Sequence, residues 1–285
     1  MSRLPRPGFP LRAPTWPDTV PGPPARSRTG VDFDTAFARR PAARLARAAL
    51  IDLAIRPAVR VLARPSVDGR ERLDALEPPV IFAANHHSHL DTGLLLSLLP
   101  ERFRRKAVVA AAADYFFDRR AKGTLHALAF GAVPMERTKV NRRSAEVASD
   151  LLADGWSLVI FPEGGRSPDG WAQEFRGGAA YLAVRSGRPV VPVYLEGTGR
   201  VWPKGQRLPQ PHRVTVMFGT PIWADQGEDA RRLAARLERA VATLADERAS
   251  DWWTARRRAA EGATPAITGP EAAAWRRAWA LPPRR

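Results

Sequence analysis

Residues 79–99 read PVIFAANHHSHLDTGLLLSLL, in which a polar turn separates two apolar runs. The first run, at residues 79–85, is short and apolar, which predicts a buried strand. The second run, at residues 90–99, predicts a helix. A strand that enters a helix through a short turn is the unit of α/β folds, which bind ligands at the carboxyl ends of their strands. The polar residues between the two runs are therefore candidates for a functional site.

Strands and helices continue to alternate along the chain after this unit. Apolar runs predict strands at residues 131–137, 157–165, 189–197 and 212–222. Helical spacing predicts a long helix after residue 222 and two shorter helices that end at glycine, at residues 141–155 and 177–187. The alternation predicts an α/β fold with a mixed, largely parallel sheet flanked by helices, and with helical N- and C-terminal extensions.

The ends of the chain differ in composition from its middle. Residues 1–40 contain eight prolines with scattered arginines, which predicts a disordered Pro/Arg-rich tail. Residues 41–69 predict an N-terminal helical segment, and residues 70–250 hold the alternating strands and helices. Residues 251–285 form a C-terminal tail rich in tryptophan and arginine. We therefore expect one α/β domain between two basic appendages.

Both appendages have features that suit a membrane surface. The N-terminal segment places Leu45, Ala48, Ala49 and Leu53 at helical spacing with arginines between them. Such a helix fits a membrane interface and the surface of a packed core equally well. Tryptophan beside arginine in the C-terminal tail suits lipid headgroups, although packing against a partner or disorder fits the composition as well. The tryptophans are Trp252, Trp253, Trp275 and Trp279.

The composition restricts the possible partners and compartments. The 285 residues include 45 Lys and Arg against 29 Asp and Glu, a formal charge of +16 that attracts nucleic acid, anionic membranes or phosphorylated substrates. The chain has no cysteine, which excludes disulfides, a thiol nucleophile and Cys-type zinc sites. Its apolar runs are shorter than the ~18 residues of a spanning helix, and prolines interrupt the N-terminus where a signal peptide is apolar. We expect a cytoplasmic protein.

Three of the five histidines lie between Asn85 and Asp91, in the sequence Asn-His-His-Ser-His-Leu-Asp. With His86 in the turn and Asp91 in the first turn of the helix, the carboxylate can fold back onto an imidazole nitrogen. Such a dyad acts as a general base, and the substrate supplies the nucleophile. Helix capping would explain Ser88 and Asp91, but it would leave the two adjacent histidines unexplained.

A metal site is the alternative interpretation of these histidines. Residues 87–91 superficially match the His-x-His-x-Asp-His motif of metallo-β-lactamase-like hydrolases, but Thr92 stands where that motif has its last histidine. Only His126 and His212 remain elsewhere as histidine ligands. We therefore expect no metal site.

Two further constellations follow predicted strands. Residues 161–167 read FPEGGRS, in which Gly164 and Gly165 allow close approach of the backbone to an anion and Arg166 offers a planar fork to phosphate. Arg137 and Lys139 follow another strand, although most such basic pairs are simply solvated. Each constellation is a weak signal by itself.

Together and in this order, the motifs resemble those of the glycerolipid acyltransferases, the 1-acylglycerol-3-phosphate acyltransferases and their relatives. The hallmark Asn-His-x-Ser-x-x-Asp is intact, and the family's next three blocks are similar to residues 131–137, 161–166 and 191–194. The resemblance covers about residues 70–245. Gly165 departs from it, because the family usually has threonine there, and Glu136 stands where the family tends to have aspartate.

The resemblance implies that residues 70–250 are an acyltransferase domain. His86 would deprotonate an acceptor hydroxyl that attacks an acyl thioester, and Asp91 would orient His86. The residues that would hold the acceptor's glycerol phosphate are Arg137, Glu163, Gly164, Gly165 and Arg166. Asn85, Ser88 and Pro192 would support the motif.

The resemblance also implies the partners of the reaction. The donor would be an acyl-CoA or acyl carrier protein thioester, with no other cofactor, and the acceptor a lysophospholipid, foremost 1-acylglycerol 3-phosphate, which becomes phosphatidate. The enzyme would lie peripherally on the anionic inner face of the cell membrane. The alternative is a basic membrane- or nucleic-acid-binding protein without catalysis, but the chain shows no nucleic-acid fold signature and we expect no nucleic acid.

Overall fold

A mixed sheet of seven strands lies at the centre of the computed structural model, which describes residues 29–137 and 142–269. The strands are β1 (Ser66–Asp68), β2 (Ile81–Ala84), β3 (Ala107–Ala112), β4 (Ala132–Met135), β5 (Ser157–Ile160), β6 (Val190–Glu196) and β7 (Thr215–Phe218). Their order across the sheet is β1-β7-β6-β2-β5-β3-β4. Every neighbouring pair in this sheet is parallel except β6 and β7. The predicted α/β fold with a largely parallel sheet is confirmed.

Helices cover both faces of the sheet. In the described ranges they are α1 (Pro41–Leu50), α2 (Arg56–Ala63), α3 (Asp91–Leu98), α4 (Glu101–Arg104), α5 (Ala113–Phe116), α6 (Arg120–Phe130), α7 (Arg142–Ala153), α8 (Gly178–Ser186), α9 (Thr198–Val201), α10 (Ala230–Ala249) and α11 (Trp252–Ala260). A single π-helical turn, Ile51–Ile55, joins α1 to α2. Gly155 and Gly187, just after α7 and α8, adopt left-handed conformations with φ of +80° and +64°, as expected for helix ends.

Strand β2 shows how the core is built. Phe82 and Ala84 pack into one core layer, and Ile81 and Ala83 pack into the layer on the opposite face. All four side chains are fully buried, which explains the continuous apolar run. Because β2 lies between β6 and β5, its carboxyl end delivers the histidine turn to the middle of the sheet edge.

The N-terminal boundaries differ from the predicted ones. Residues 29–40 were predicted to be part of a disordered tail, but Phe33 packs on Phe117 with ring centroids 5.3 Å apart and is buried. Strand β1, assigned by composition to the helical segment, pairs with β7 and belongs to the sheet. The rest of the predicted tail, residues 1–28, lies outside the described residues.

The N-terminal helices bury a different face from the one that their leucines suggest. Leu45 and Leu53 are 73% and 79% exposed, whereas Arg47 is buried. The guanidinium of Arg47 donates to the carbonyls of Ala127 and Leu128 at the end of α6, and to a carbonyl of the preceding segment. The carbonyl of Leu128 lies in the last turn of α6, which leaves carbonyls without intrahelical partners, whereas the carbonyl of Ala127 also accepts the N–H of Gly131. The interpretation of the leucine face as the packed face is therefore wrong.

The C-terminal segment is also part of the packed structure. Ile267 is buried, and its carbonyl accepts a hydrogen bond from the N–H of Ala172. Asp246 of α10 pairs with Arg258 of α11 at 2.7 Å. Residues 251–269 of the predicted C-terminal tail therefore pack against the domain, although Trp252 and Trp253 remain exposed. The predicted tail positions Trp275 and Trp279 lie outside the described residues.

Candidate active site

The histidine turn leaves the carboxyl end of β2 and enters α3 at Asp91. Nδ1 of His86 lies 2.8 Å from Oδ2 of Asp91, so the two side chains form the hydrogen bond that their spacing predicts. With Nδ1 engaged in this way, the neutral imidazole carries its lone pair on Nε2. His86 lines a large cavity and its side chain is 16% exposed.

Asp91 is fully buried and holds the turn together. Its Oδ2 also accepts the backbone N–H groups of His87 and Ser88, at 2.7 and 2.8 Å. The carboxylate therefore ties the turn to the first residue of α3, where the helix dipole favours a negative charge. All three donors lie within five residues of Asp91, so the arrangement is local in the sequence.

Three contacts from the FPEGGRS segment, residues 161–167, fix the position of His86. Its ring stacks on Phe161 with centroids 4.1 Å apart and an interplanar angle of 20°. The backbone N–H of His86 donates to Oε1 of Glu163 at 2.8 Å, and the backbone carbonyl of His86 accepts the N–H of Ser167 at 2.8 Å. The imidazole is therefore preorganised by residues that follow the adjacent strand β5.

The three residues predicted to support the motif are buried and make structural contacts. The side-chain amide of Asn85 exchanges two hydrogen bonds with the backbone of Leu195, which joins the end of β2 to β6. Ser88 Oγ donates to the carbonyl of Trp202 at 2.9 Å. Pro192 lies in β6, and its carbonyl accepts the N–H of Gly219.

Glu163 belongs to the cavity lining, but its carboxyl is bonded to the protein backbone. Its side chain is buried, and its two oxygens accept the N–H groups of His86 and Gln173 at 2.8 and 2.9 Å. Burial raises the pKa of this carboxyl from 4.5 to about 8, so it is largely protonated at neutral pH. Both oxygens already accept hydrogen bonds within the protein, which favours a positioning role for Glu163 toward His86, and its contact with the acceptor stays a prediction.

The two glycines after Glu163 differ in their surroundings. Gly164 has a φ of +72°, and a side chain there would contact the guanidinium of Arg176. A Cβ at Gly165 would lie 3.9 Å from Nη1 of Arg137 and 4.0 Å from Nε2 of Gln173, both ordinary contacts. Gly165 is therefore an open position, surrounded by donor groups.

The predicted arginines Arg137 and Arg166 reach the cavity together with further cations. Arg137 pairs with Asp114 at 2.6 Å, and Arg166 contacts Nε2 of His89 and the ring of Tyr115. Burial, and then the charge of Arg166, lower the pKa of His89, which is therefore neutral at neutral pH. The additional cations that line the cavity are Arg176, Lys204 and Arg231. Lys139, the partner predicted for Arg137, lies outside the described residues.

The cavity has a volume of about 1440 Å³, and its lining residues fall into two chemical groups. The first group, here called the cationic wall, consists of His86, the glycine turn and the cations described above. The second group, here called the apolar wall, comes from β3, β4, β5 and α6 at both faces of the sheet and includes Val109, Ala111, Phe130, Ala132, Met135 and Ile160. A cavity with one cationic and one apolar wall suits an amphiphile that has an anionic headgroup.

Several cavity residues had little or no signal in the sequence. Gln173 donates from its side chain to the carbonyls of Gly165 and Arg166, a contact of an isolated polar residue that no motif marks. Arg176 stands in the Phe-Arg-Gly-Gly stretch, whose glycines were the available signal. The apolar wall consists of ordinary core residues from separate strands, so the sequence could not show that they face one cavity.

Two structural features bear on the alternatives. In residues 29–137 and 142–269, no group of three or more His, Cys, Asp or Glu side chains is arranged to hold a metal ion. Within the same ranges, every helix is too short or too polar to cross a bilayer.

Comparisons with known proteins give consistent matches. Residues 64–196 match the family model described as Acyltransferase. A chloroplastic 1-acyl-sn-glycerol-3-phosphate acyltransferase of Brassica napus is 31% identical over 169 residues, 58% of this chain and 47% of that protein. A protein of Pseudomonas aeruginosa with the same activity in its name is 33% identical over 105 residues, 37% of this chain and 40% of its own length. The chain thus spans about half the length of the curated relatives it matches.

A solved structure shows the same fold. The crystal structure of the 1-acyl-sn-glycerophosphate acyltransferase of Thermotoga maritima matches with a TM-score of 0.57 and 24% sequence identity, over 75% of this chain and 83% of that one. At this level of identity the match supports the fold alone.

Proposed function

We propose that this protein acylates a 1-acylglycerol 3-phosphate to give phosphatidate, on the premise of the match between residues 64–196 and the family model described as Acyltransferase. The observation that carries the proposal is the His86–Asp91 hydrogen bond at the edge of a cavity with one cationic and one apolar wall. The names of the relatives support the same acceptor.

The reaction needs one proton acceptor and no covalent acyl-enzyme. Nε2 of His86 takes the proton from the free hydroxyl of the acceptor, and the hydroxyl oxygen attacks the thioester carbonyl. As the tetrahedral intermediate collapses, the carbon–sulfur bond breaks and the leaving thiolate takes the proton from His86. Ser88 is buried and hydrogen-bonded to Trp202, which supports a structural role for this hydroxyl.

Asp91 stabilises the imidazolium that forms during the attack. The carboxylate is fully buried and lies 2.8 Å from Nδ1, so solvent screens the ion pair weakly. The same carboxylate fixes the tautomer of the resting imidazole. Glu163 contributes indirectly, through its hydrogen bond to the N–H of His86.

The cationic wall binds the phosphate of the acceptor. Arg166 and Arg176 form no ion pair with a carboxylate in the described ranges, whereas Arg137 shares its charge with Asp114. The backbone of the Gly164–Gly165 turn lies beside these guanidinium groups and allows a phosphate to approach closely. Holding the phosphate here places the acceptor hydroxyl for attack and lowers the entropic cost of the reaction. The apolar wall receives fatty acyl chains, and the donor is an acyl-CoA or acyl carrier protein thioester.

The protein acts peripherally at the anionic inner face of the cell membrane. Leu45 and Leu53 are exposed on the N-terminal helices, and Leu125 of α6 is 64% exposed. Arg47 joins α1 to α6, whose residues His126 and Phe130 line the cavity. The exposed apolar side chains therefore belong to the elements beside the cavity, and the charge of +16 complements anionic lipids.

An acyl-transfer assay with purified full-length protein tests the proposal. Long-chain acyl-CoA and acyl carrier protein thioesters serve as donors, and lysophosphatidate and glycerol 3-phosphate serve as rival acceptors. We expect activity with lysophosphatidate that is lost in His86→Ala and kept in His212→Ala, a matched change at an imidazole that contacts Arg200. Activity that survives His86→Ala would exclude the mechanism. Wild-type protein that uses only glycerol 3-phosphate would exclude the acceptor.

A further inference from the structure

A second cleft, separate from the active-site cavity, contains four arginines. It has a volume of about 640 Å³ and lies between α2, the last turn of α3 and the segment that leads to β1. Arg56, Arg60, Arg64 and Arg70 line it together with uncharged residues, among them Ser97. None of these residues lines the active-site cavity.

The positive charges in this cleft are poorly compensated. Arg56 pairs with Asp52 at 2.7 Å and donates to the carbonyl of Ser97. In residues 29–137 and 142–269, Arg60, Arg64 and Arg70 form no ion pair; residues 53–67 contain no acidic residue, whereas Asp68 and Glu71 are close to Arg70 in the sequence. Guanidinium groups that outnumber the carboxylates around them repel one another, and a bound anion relieves that repulsion. Their planar forks match the oxygens of a phosphate group.

The arginines stand beside an exposed apolar stripe on the same helix. Arg56 and Arg60 are four residues apart, and so are Pro57 and Val61, so each pair follows the helix axis. At 3.6 residues per turn the two stripes lie about 100° apart around α2. Val61 is 66% exposed, and Leu53 is exposed about two turns earlier. A surface with an apolar stripe next to an arginine stripe suits the boundary between lipid tails and headgroups.

We propose that this cleft binds the phosphate group of an anionic phospholipid, in addition to the phosphate site of the active centre. The phosphate chemistry follows from the arginines alone, whereas the choice of a lipid over a free phosphate rests on the proposed function at a membrane. Residues 97 and 98 at the end of α3 line the cleft, and Asp91 begins the same helix. The lipid therefore binds about 11 Å from the dyad along α3 and holds the active site at the membrane surface.

Binding of the full-length protein to lipid vesicles tests the site. The vesicles contain phosphatidylcholine alone or with phosphatidylglycerol, and the test variant is Arg60→Gln combined with Arg64→Gly. Arg64 has a φ of +39° and is the only residue other than glycine with a positive φ in the described part of the chain. Glycine favours that conformation, so this change removes the guanidinium without straining the fold. The control, Arg188→Gln with Arg239→Gln, removes two exposed arginines outside the cleft. It measures how much of the binding is lost when two arginines no longer contribute to the general attraction between the protein and the membrane.

We expect the wild type to bind the anionic vesicles and the test variant to lose roughly thirty-fold in affinity, the effect of two arginines near a charged membrane. The control should lose less than a third as much, and the unfolding midpoint of the test variant should not fall. Equal losses in the test and control variants would overturn the site, because they would show general attraction only. A lower unfolding midpoint with equal vesicle binding would overturn it as well.

Soluble ligands separate the lipid from a free phosphate. If glycerol 3-phosphate raises the unfolding midpoint of the wild type and not of the test variant, while both bind vesicles equally, the lipid assignment is overturned. Activity on a monomeric short-chain lysophosphatidate should be the same in both proteins. Inactive proteins that still differ in vesicle binding would count against the proposed function and not against this cleft.

Discussion

Replacement of Asp91 by asparagine separates the charge of this residue from its structural role. Oδ2 of Asp91 accepts three hydrogen bonds, from His86 Nδ1 and from the N–H groups of His87 and Ser88. The amide oxygen of asparagine can take that position and keep all three bonds. The other oxygen, Oδ1, is buried and accepts no hydrogen bond in the described structure. An amide NH₂ at that position therefore breaks no existing hydrogen bond. Asp91→Asn therefore removes the negative charge and preserves the turn.

The expected loss of activity follows from electrostatics. A carboxylate and an imidazolium whose charges are about 4 Å apart attract each other by about 4 kcal/mol at an effective dielectric constant of about 20. This attraction exists only after His86 has taken a proton, so its loss raises the barrier of the proton-transfer step. We expect kcat/KM to fall by about 10³-fold.

The assay compares kcat/KM for acyl transfer to lysophosphatidate in the wild type, in Asp91→Asn and in Asp225→Asn. Asp225 is an exposed carboxylate that pairs with Arg236, so the same change there should leave activity unaltered. Denaturant unfolding of each protein shows whether the fold is kept. An Asp91→Asn variant that folds like the wild type and keeps more than a tenth of its activity would refute the role of the buried charge.

Three further predictions concern stability. The Glu163 carboxyl keeps its proton up to about pH 8 in the folded protein but loses it near pH 4.5 in the unfolded protein. The free energy of unfolding should therefore fall as the pH rises from 5 to 8, by at most roughly 5 kcal/mol. Denaturant unfolding at several pH values should show this slope in the wild type and not in Glu163→Gln; equal slopes would contradict it. Arg47→Ala removes the guanidinium donor from the carbonyls of Ala38 and Leu128, while Ala127 keeps the N–H of Gly131, and should cost about 2–4 kcal/mol in urea unfolding; a loss below 1 kcal/mol would show that solvent replaces the guanidinium. Gly69→Ala places a Cβ 2.1 Å from the carbonyl oxygen of Phe218 at a φ of +73°, and should lower stability by about 2–3 kcal/mol, measurable as a drop in Tm.

Glu163 shows that a motif can be located from the sequence while the contacts of its side chain cannot. The apolar pattern predicts that the FPEGGRS segment follows the end of a strand, and it lies there. The contacts of the carboxyl with the backbone of His86 and Gln173 have no signal in the sequence. The direction of a side chain at the end of a strand depends on which neighbouring strand lies beside it, and His86, which follows β2, is 77 positions away from Glu163 in the sequence. Only the pairing of β2 with β5 brings these residues into contact.

The sequence alone determined the features that depend on short range. The alternation of apolar runs specified the α/β fold because each strand and helix is formed by contiguous residues. The His86–Asp91 contact was predictable because five residues across a turn leave the side chains little choice of position. The tertiary structure decided the features that depend on distant partners. Arg47 is buried because α6 presents carbonyls to it, which leaves Leu45 exposed, and the four arginines share a cleft because β1 joins the sheet beside α2 and α3.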